Sequence, residues 1–406
     1  MDWDFGLGRE DLIHRIHSYP AKFPAFITTK ALQYAKEEGV EVGVVADVFC
    51  GCGTAAVEAK RSGKRFWGSD INPVAVLIAQ VKVHHYDDSV LGEYFEQIRN
   101  EFGRITPTEE DREKVSDRVR YWFHDRNIDD LTRLDQAIRL RTRTGSPHRR
   151  FFLCALSNIL KPTSTWLTRS IKPQRDPLKS PRGVLETFES QFHLMRKANR
   201  SNCFPRPQPE VTIRRQNFLA SGQPECRVDL LVTSPPYVTS YDYADIHQLS
   251  TLWLRYSSDY RSFRTNMLGN QYRVPDPDPR SIASLGPSAE ATYRGLMDVE
   301  KRKARSVARY FLDLDKTAAK CWRMLNPGGM AVFLIGNTRY KNVTINNAGH
   351  LESCMRRAGF VGVERVPRRV SLKIMTPFRD AKGRFTRDAS QRRVYGEEFV
   401  LIGRRP

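Results

Sequence analysis

The chain has 406 residues, 40% hydrophobic and 28% charged, an ordinary globular balance that excludes wholesale disorder. Lys and Arg number 66 against 46 Asp and Glu, a formal net charge of +20, which points to a polyanionic partner, most simply nucleic acid. No apolar run approaches the ~20 residues of a membrane span, the acidic start Met1-Asp2-Trp3-Asp4 is unlike a signal peptide, and seven cysteines without a CxxC pair make neither a disulfide framework nor a zinc site. A reduced, cytoplasmic protein with no metal and no membrane partner is expected.

Residues 42–49 form a short apolar run that reads as a buried strand. Gly51 and Gly53 then turn the chain into a helix over 54–61. A second strand over 64–69 ends at Asp70, and a helix over 73–83 follows. This βαβα start implies a parallel sheet. Residues 84–205 are rich in charge and helix formers, with amphipathic stretches at 91–102 and 128–140 and an apolar one at 151–160. A Pro-, Lys- and Arg-rich segment, 161–182, and a helix over 188–198 complete a mostly helical insertion. Strand signals return at 211–215 and 228–233, followed by a helix over 244–256 and a polar, Arg-rich loop region, 257–290. One or two long helices fill 293–325. A turn at 326–329, a strand at 330–336, a helix over 347–358 stopped by Gly359, and strands at 361–365 and 398–403 end the pattern.

Two stretches carry chemistry. In Phe49-Cys50-Gly51-Cys52-Gly53-Thr54 the glycines permit a tight turn and close approach of backbone to a ligand. The helix that follows offers free N–H groups and a positive dipole end. Asp70, at the end of the second strand, is placed to accept hydrogen bonds from ribose hydroxyls. Together they read as a site for an adenosine-containing cofactor, although the turn also fits a looser dinucleotide fingerprint. The second stretch is Ser234-Pro235-Pro236-Tyr237, directly after the strand at 228–233. Two prolines end the ladder and stiffen the turn, holding Ser234 and Tyr237 at the sheet edge where open α/β sheets bind ligands. The Ser234 oxygen and the Pro235 carbonyl can accept the two hydrogens of an exocyclic amino group, favouring a pyramidal nitrogen, while Tyr237 can stack on a base extruded from a duplex.

These residues resemble the S-adenosylmethionine-dependent amino-methyltransferases of DNA, the N4-cytosine and N6-adenine family of restriction–modification type. His17-Ser18-Tyr19-Pro20-Ala21-Lys22-Phe23-Pro24 resembles the segment at the methionine end of the cofactor. Asp47 through Thr54, with Asp70-Ile71-Asn72-Pro73, resembles the cofactor loop and ribose-binding acid, and Thr233 through Tyr237 the catalytic loop. The resemblance implies a class I methyltransferase fold, a doubly wound and mostly parallel sheet with helices on both faces, plus the inserted helical domain. The implied division is a cofactor-binding half (1–85), a target-recognition insertion (86–208) and a catalytic half (209–406). It implies S-adenosyl-L-methionine held by Lys22, Phe23, Pro24, Asp47, Phe49, Gly51, Gly53, Thr54, Asp70, Ile71 and Asn217, the last standing where many relatives carry an acid.

Ser at the first position of the catalytic loop favours N4 of cytosine in double-stranded DNA; N6 of adenine, an RNA amino-methyltransferase and a non-catalytic DNA-binding protein are the alternatives. Basic residues mixed with aromatics suit phosphate neutralisation and stacking, and mark Arg169 and Lys172 in the insertion and Arg261, Arg264 and Arg273 in the later loop as DNA-binding candidates. The basic stretch 367–393 is a third such region. The resemblance also allows a functional pairing with a cognate restriction endonuclease, for a monomer or homodimer.

Overall fold

A short apolar strand buried on both faces has to find hydrogen-bond partners on both edges. The computed structural model describes residues 2–4, 10–20, 22–222, 226–238, 242–269, 277–369, 378–379, 385–386, 388, 390, 392–393 and 398–406. Its main sheet has seven strands: β1 (Val44–Asp47), β2 (Arg65–Asp70), β3 (Val211–Arg215), β4 (Val228–Thr233), β5 (Leu325–Gly336), β6 (Val361–Arg368) and β7 (Glu398–Arg404). Their order is β3-β2-β1-β4-β5-β7-β6. β1 pairs in parallel with both β2 and β4, β3 and β5 extend the parallel array, and β7 runs antiparallel to both its neighbours. This is the class I methyltransferase arrangement that the motifs imply.

Alternate strand residues face opposite ways. Val45, Leu230, Val332 and Val400 enter the core on one face, and Ala46, Leu231, Phe333 and Leu401 the core on the other. The first face is covered by α1 (Phe26–Glu37), α2 (Thr54–Arg61) and α3 (Pro73–Val83). No element was read over 26–37 from the sequence, so α1 is an addition. Pro73 and the N-cap side chain of Asn72, which accepts from the Val74 amide at 3.0 Å, fix where α3 begins.

The insertion is helical as expected, with α4 (Asp88–Arg104), α5 (Asp125–Arg141), α6 (Pro147–Ile159) and α7 (Val184–Ser201) as its long elements. Two short helices, Glu109–Glu113 and Asp117–Arg120, lie where the sequence showed no pattern. The Phe95 and Phe192 rings stack with centroids 4.0 Å apart, in the same core cluster that contains Val45, Ala55 and Ile78. The division at residues 85 and 86 therefore does not separate two cores. Tyr86 and Asn199 bind reciprocally, the Tyr86 amide donating to Asn199 Oδ1 at 2.9 Å and Asn199 Nδ2 to the Tyr86 carbonyl at 2.8 Å. Gln191 reaches the Ile16 carbonyl at 2.7 Å.

After β4, the helix expected over 244–256 breaks at His247 into Tyr243–Ile246 and α8 (Gln248–Trp253). The region 257–290 is not all loop. It holds a 3-10 turn at Tyr260–Asn266 and helices at Pro279–Ala283 and Pro287–Met297. The second face of the sheet is covered by α9 (Lys301–Met324) and α10 (Asn347–Ala358), which ends in a left-handed Gly359. Among the described residues no helix is long and apolar enough to cross a membrane.

Because the insertion and the βα units share one core, chemical unfolding followed at the insertion and at the sheet should give one coincident transition. Phe192→Ala, which empties a fully buried ring site, is expected to lower the unfolding free energy by about 3–5 kcal/mol. A mutant that unfolds the insertion alone, with the sheet transition unmoved, would contradict the shared core.

Candidate active site

The glycine turn and the catalytic loop leave neighbouring strands at the same edge. Val45 is in register with Leu230, so the ends of β1 and β4 stand side by side. Asp47, fully buried, closes this edge. Its Oδ1 accepts from Thr233 Oγ1 at 2.5 Å and from the Phe49 amide at 3.0 Å. Burial raises its pKa from 3.8 to about 7, against the lowering effect of those two hydrogen bonds. The other oxygen, Oδ2, is buried and has no partner among the described residues.

The turn itself is tight: the Gly53 amide donates to the Cys50 carbonyl at 2.8 Å. Gly53 has φ +76°, and a Cβ there would lie 2.6 Å from that of Ala79, so only glycine fits. Gly51, φ +48°, lies beneath the Tyr19 ring. Asp70 ends β2, and its carboxylate accepts from the Gly51 amide at 2.9 Å and the Asn72 amide at 2.8 Å. Burial raises its pKa to about 6. Ile71 follows, half-buried, and its amide also serves the Asp70 carboxylate. Thr54, the first residue of α2, has a buried hydroxyl without a partner among the described residues. The unpartnered Asp47 Oδ2 and Thr54 Oγ1, beside a glycine turn at a helix N-terminus, fit a polar, hydroxyl-bearing ligand.

The other residues expected at the cofactor differ in their surroundings. Phe49 is half-buried and meets the Phe218 ring edge-on, with centroids 6.4 Å apart. Asn217 lies just past β3, where its Oδ1 already accepts from the Leu219 amide at 3.0 Å; it caps its own turn. Phe23 and Pro24 are half-buried, and the Pro24 carbonyl accepts from Ile27 at the start of α1. Lys22 binds Glu10 at 2.7 Å and the His14 carbonyl, so its charge is matched within its own segment. Tyr19, from the same segment, stacks on His247 at 5.0 Å. The Tyr19 ring so held lies over Gly51, and His14 of the same segment binds Glu58 on α2 at 2.8 Å.

Ser234, Pro236 and Tyr237 are half-buried and Pro235 is buried. The Tyr237 ring packs against the core of the α9 face, and its hydroxyl donates to Glu398 Oε1 at 2.9 Å. Glu398 and its ion-pair partner Arg368 were not singled out from the sequence. They stand opposite each other across an antiparallel pair, a juxtaposition only the register shows.

The basic candidates also divide. Arg169 and Lys172 are exposed, at the end of a loop pinned by a bridge between Trp166 and Arg175. Arg175 lies over the exposed Tyr121 ring, 5.0 Å from its centroid. Neighbouring Lys161 and Lys179 do not face outward: Lys161 binds the Ser170 carbonyl, and Lys179 those of Lys161 and Trp166. Burial lowers the Lys179 pKa to about 8. Arg261 is exposed beside Tyr260. Arg264 corrects the expectation of a DNA contact. Its side chain is 14% exposed and paired with Asp242 and Asp245, each at 2.8 Å, so it fastens the 3-10 turn to the helix after the catalytic loop. Arg273 lies outside the described residues, as does most of 370–397. Arg118 was not anticipated: it donates to Gln248 at 2.7 Å and lies near the rings of Tyr121, Trp122 and Tyr260.

No protein-family model matches the chain. It is similar to the type II methyltransferase M.MvaI of Kocuria varians, 23% identical over 365 residues that cover 83% of this chain and 79% of that protein. A stretch of 94 residues is 33% identical to the type II methyltransferase M.MjaII of Methanocaldococcus jannaschii, covering 21% of this chain and 17% of that one. Among solved structures, the rRNA methyltransferase aviRa from Streptomyces viridochromogenes aligns over 96% of this chain and 88% of its own, with 12% identity and a TM-score of 0.30. An S-adenosylmethionine-dependent O-methyltransferase from Thermotoga maritima aligns over 97% and 71%, with 10% identity and a TM-score of 0.30.

The raised pKa of Asp47 has a thermodynamic consequence. The folded state keeps a proton that the unfolded chain loses near 3.8, so the native state loses stability as pH rises from that value to about 7. Asp47→Asn cannot ionise but keeps an acceptor for Thr233. Its melting temperature should therefore gain on the wild type across this window and run parallel above it. A difference that stays flat with pH would show that Asp47 titrates normally.

Proposed function

We propose that this chain is an S-adenosylmethionine-dependent DNA methyltransferase acting on an exocyclic amino group, with N4 of cytosine in duplex DNA as the target. The carrying observation is the Asp47–Thr233 hydrogen bond, which holds the glycine turn against the loop that bears Ser234. The similarity to a type II methyltransferase over 83% of the chain supports the same reading, as does the net charge of +20.

The turn at Gly51 and Gly53, with the N-terminus of α2, receives the cofactor's polar middle, and Asp70 accepts from its ribose hydroxyls. Phe49 and Phe218 offer an apolar wall to the adenine. When bound, the cofactor supplies an electrophilic methyl group on a sulfonium. An amino nitrogen conjugated to a base ring is a weak nucleophile, so the protein's task is to orient and polarise it. Ser234 Oγ and the Pro235 carbonyl accept its two N–H hydrogens and leave its lone pair facing the methyl group, a gain from positioning and preorganised dipoles. The two prolines keep these acceptors from relaxing. The target base has to leave the duplex to reach the sheet edge. Arg169, Lys172 and Arg261, all exposed, are the phosphate-contacting candidates, and a serine at the first loop position favours cytosine over adenine.

The direct test incubates the protein with methyl-labelled S-adenosylmethionine and unmethylated genomic DNA, then separates the nucleosides. Label in N4-methylcytosine is the expected result; label in N6-methyladenine would keep the mechanism and change the base. Label in RNA alone, or nowhere, would overturn the assignment. Ser234→Ala is expected to lower the methyl-transfer rate about a hundredfold while calorimetry shows cofactor binding intact.

A further inference from the structure

A hydroxyl that is to accept hydrogens from an amino group must send its own proton elsewhere. The surroundings of Ser234 hold an ordered chain of polar groups. Glu398 is a carboxylate and only accepts, so the Tyr237 hydroxyl, 2.9 Å from Oε1, is the donor. The phenol oxygen is thereby left as an acceptor, on the same Pro-Pro loop as the Ser234 hydroxyl three residues earlier. The other Glu398 oxygen, Oε2, is bound by Arg368, whose side chain is 2% exposed. The Arg368 guanidinium also lies over the Phe26 ring, 5.5 Å from its centroid, next to the segment carrying Phe23 and Pro24. Glu398 is in register with Arg368 on β6 and with Gly336 at the end of β5, which places the pair at the ligand edge of the sheet.

We propose that Arg368, Glu398 and Tyr237 form a polarity relay that orders the Ser234 proton away from the substrate and so makes Ser234 Oγ an acceptor for the target amino group. The relay rests on the methyl-transfer reading of the same loop. It gives Tyr237 a role through its hydroxyl, separate from any stacking by its ring, and makes Glu398 and Arg368 positioning residues. It also ties the segment at the methionine end of the cofactor site to the catalytic loop through Phe26.

Tyr237→Phe keeps the ring and removes the hydroxyl. It and Glu398→Ala should each lower kcat about ten- to a hundredfold, with KM for DNA and the cofactor Kd changed less than about twofold. Because both break one chain, the double variant should lose no more than either alone. A Tyr237→Phe enzyme at the wild-type rate, or losses that multiply in the double variant, would overturn the relay. Amide hydrogen exchange reads the same contact without turnover. In Glu398→Ala the peptide spanning 228–238 should exchange about tenfold faster, with β1 and α2 unchanged. Unchanged exchange in that peptide overturns the relay even in an active enzyme. Faster exchange in a protein that methylates no nucleic acid keeps the contact and removes the function assigned to it.

Discussion

Asp47 lies at the end of β1 with its carboxylate withdrawn from water, and its Oδ1 joins Thr233 on β4 to the amide that opens the glycine turn. A carboxylate in this position is costly to bury and is tolerated only where hydrogen bonds replace water. The opposite end of the same strand pair is held by a second acid: Asp229 Oδ2 accepts from the amides of Gly43 and Val44, each at 2.8 Å, and Oδ1 from Asn326 at 2.7 Å. β1 and β4 are thus clamped at both ends, across a long stretch of intervening chain. What emerges from β1 and β4, the glycine turn proposed to hold the cofactor and the loop that carries Ser234, is fixed in relative position by this clamp.

The insertion follows from where it is attached. It leaves α3 at Val83, whose carbonyl binds Lys60, and returns at Val211, the first residue of β3. Both are at the edge of the sheet remote from the ligand edge. Its contacts nevertheless reach the ligand side. Trp122 stacks on Trp166 with centroids 4.9 Å apart and donates to Gln248 at 3.2 Å. Gln248 is one residue from His247, whose ring supports Tyr19 over Gly51. Ser157 on α6 binds His17 at 2.9 Å and Ser250 at 2.8 Å. Burial lowers the His17 pKa to about 4, so this network is neutral at physiological pH. The helical block is therefore a buttress of the glycine turn as well as a carrier of exposed basic residues.

Local pattern was enough wherever local chemistry decides the structure. The helices at Thr54–Arg61, Pro73–Val83 and Asn347–Ala358 and the strands at Val211–Arg215 and Val228–Thr233 lie where apolar periodicity, caps and prolines put them. The helix expected over 244–256 failed at His247, whose side chain is buried under Tyr19, a tertiary contact that outweighs helix propensity. The geometry of the candidate site was legible as motifs, because a glycine turn, an acid at a strand end and a Pro-Pro loop each announce their shape in a few adjacent residues. The partners of charged side chains were not. Lys22, Lys161, Lys179 and Arg264 look alike in sequence to any exposed cation, and only the fold shows the carboxylates and carbonyls that occupy them.

That distinction bears on the excess of positive charge. A net charge of +20 describes the whole chain, but a cation already matched by a carboxylate adds little field at the surface. Arg196 and Arg200 both bind Asp88 at 2.6 Å, Arg112 binds Asp129 at 2.9 Å, and Arg357 binds Asp315 at 2.6 Å; these stiffen the surface they sit on. Arg169, Lys172 and Arg175 are exposed on one loop, stiffened from behind by Trp166 and by Lys179. The same Trp166 leads through Trp122 and Gln248 to the ring that covers Gly51. On the proposed reading, a polyanion bound on that loop presses on a rigid path ending at the glycine turn, which gives a physical reason for the insertion to share its core with the sheet instead of hanging from a linker.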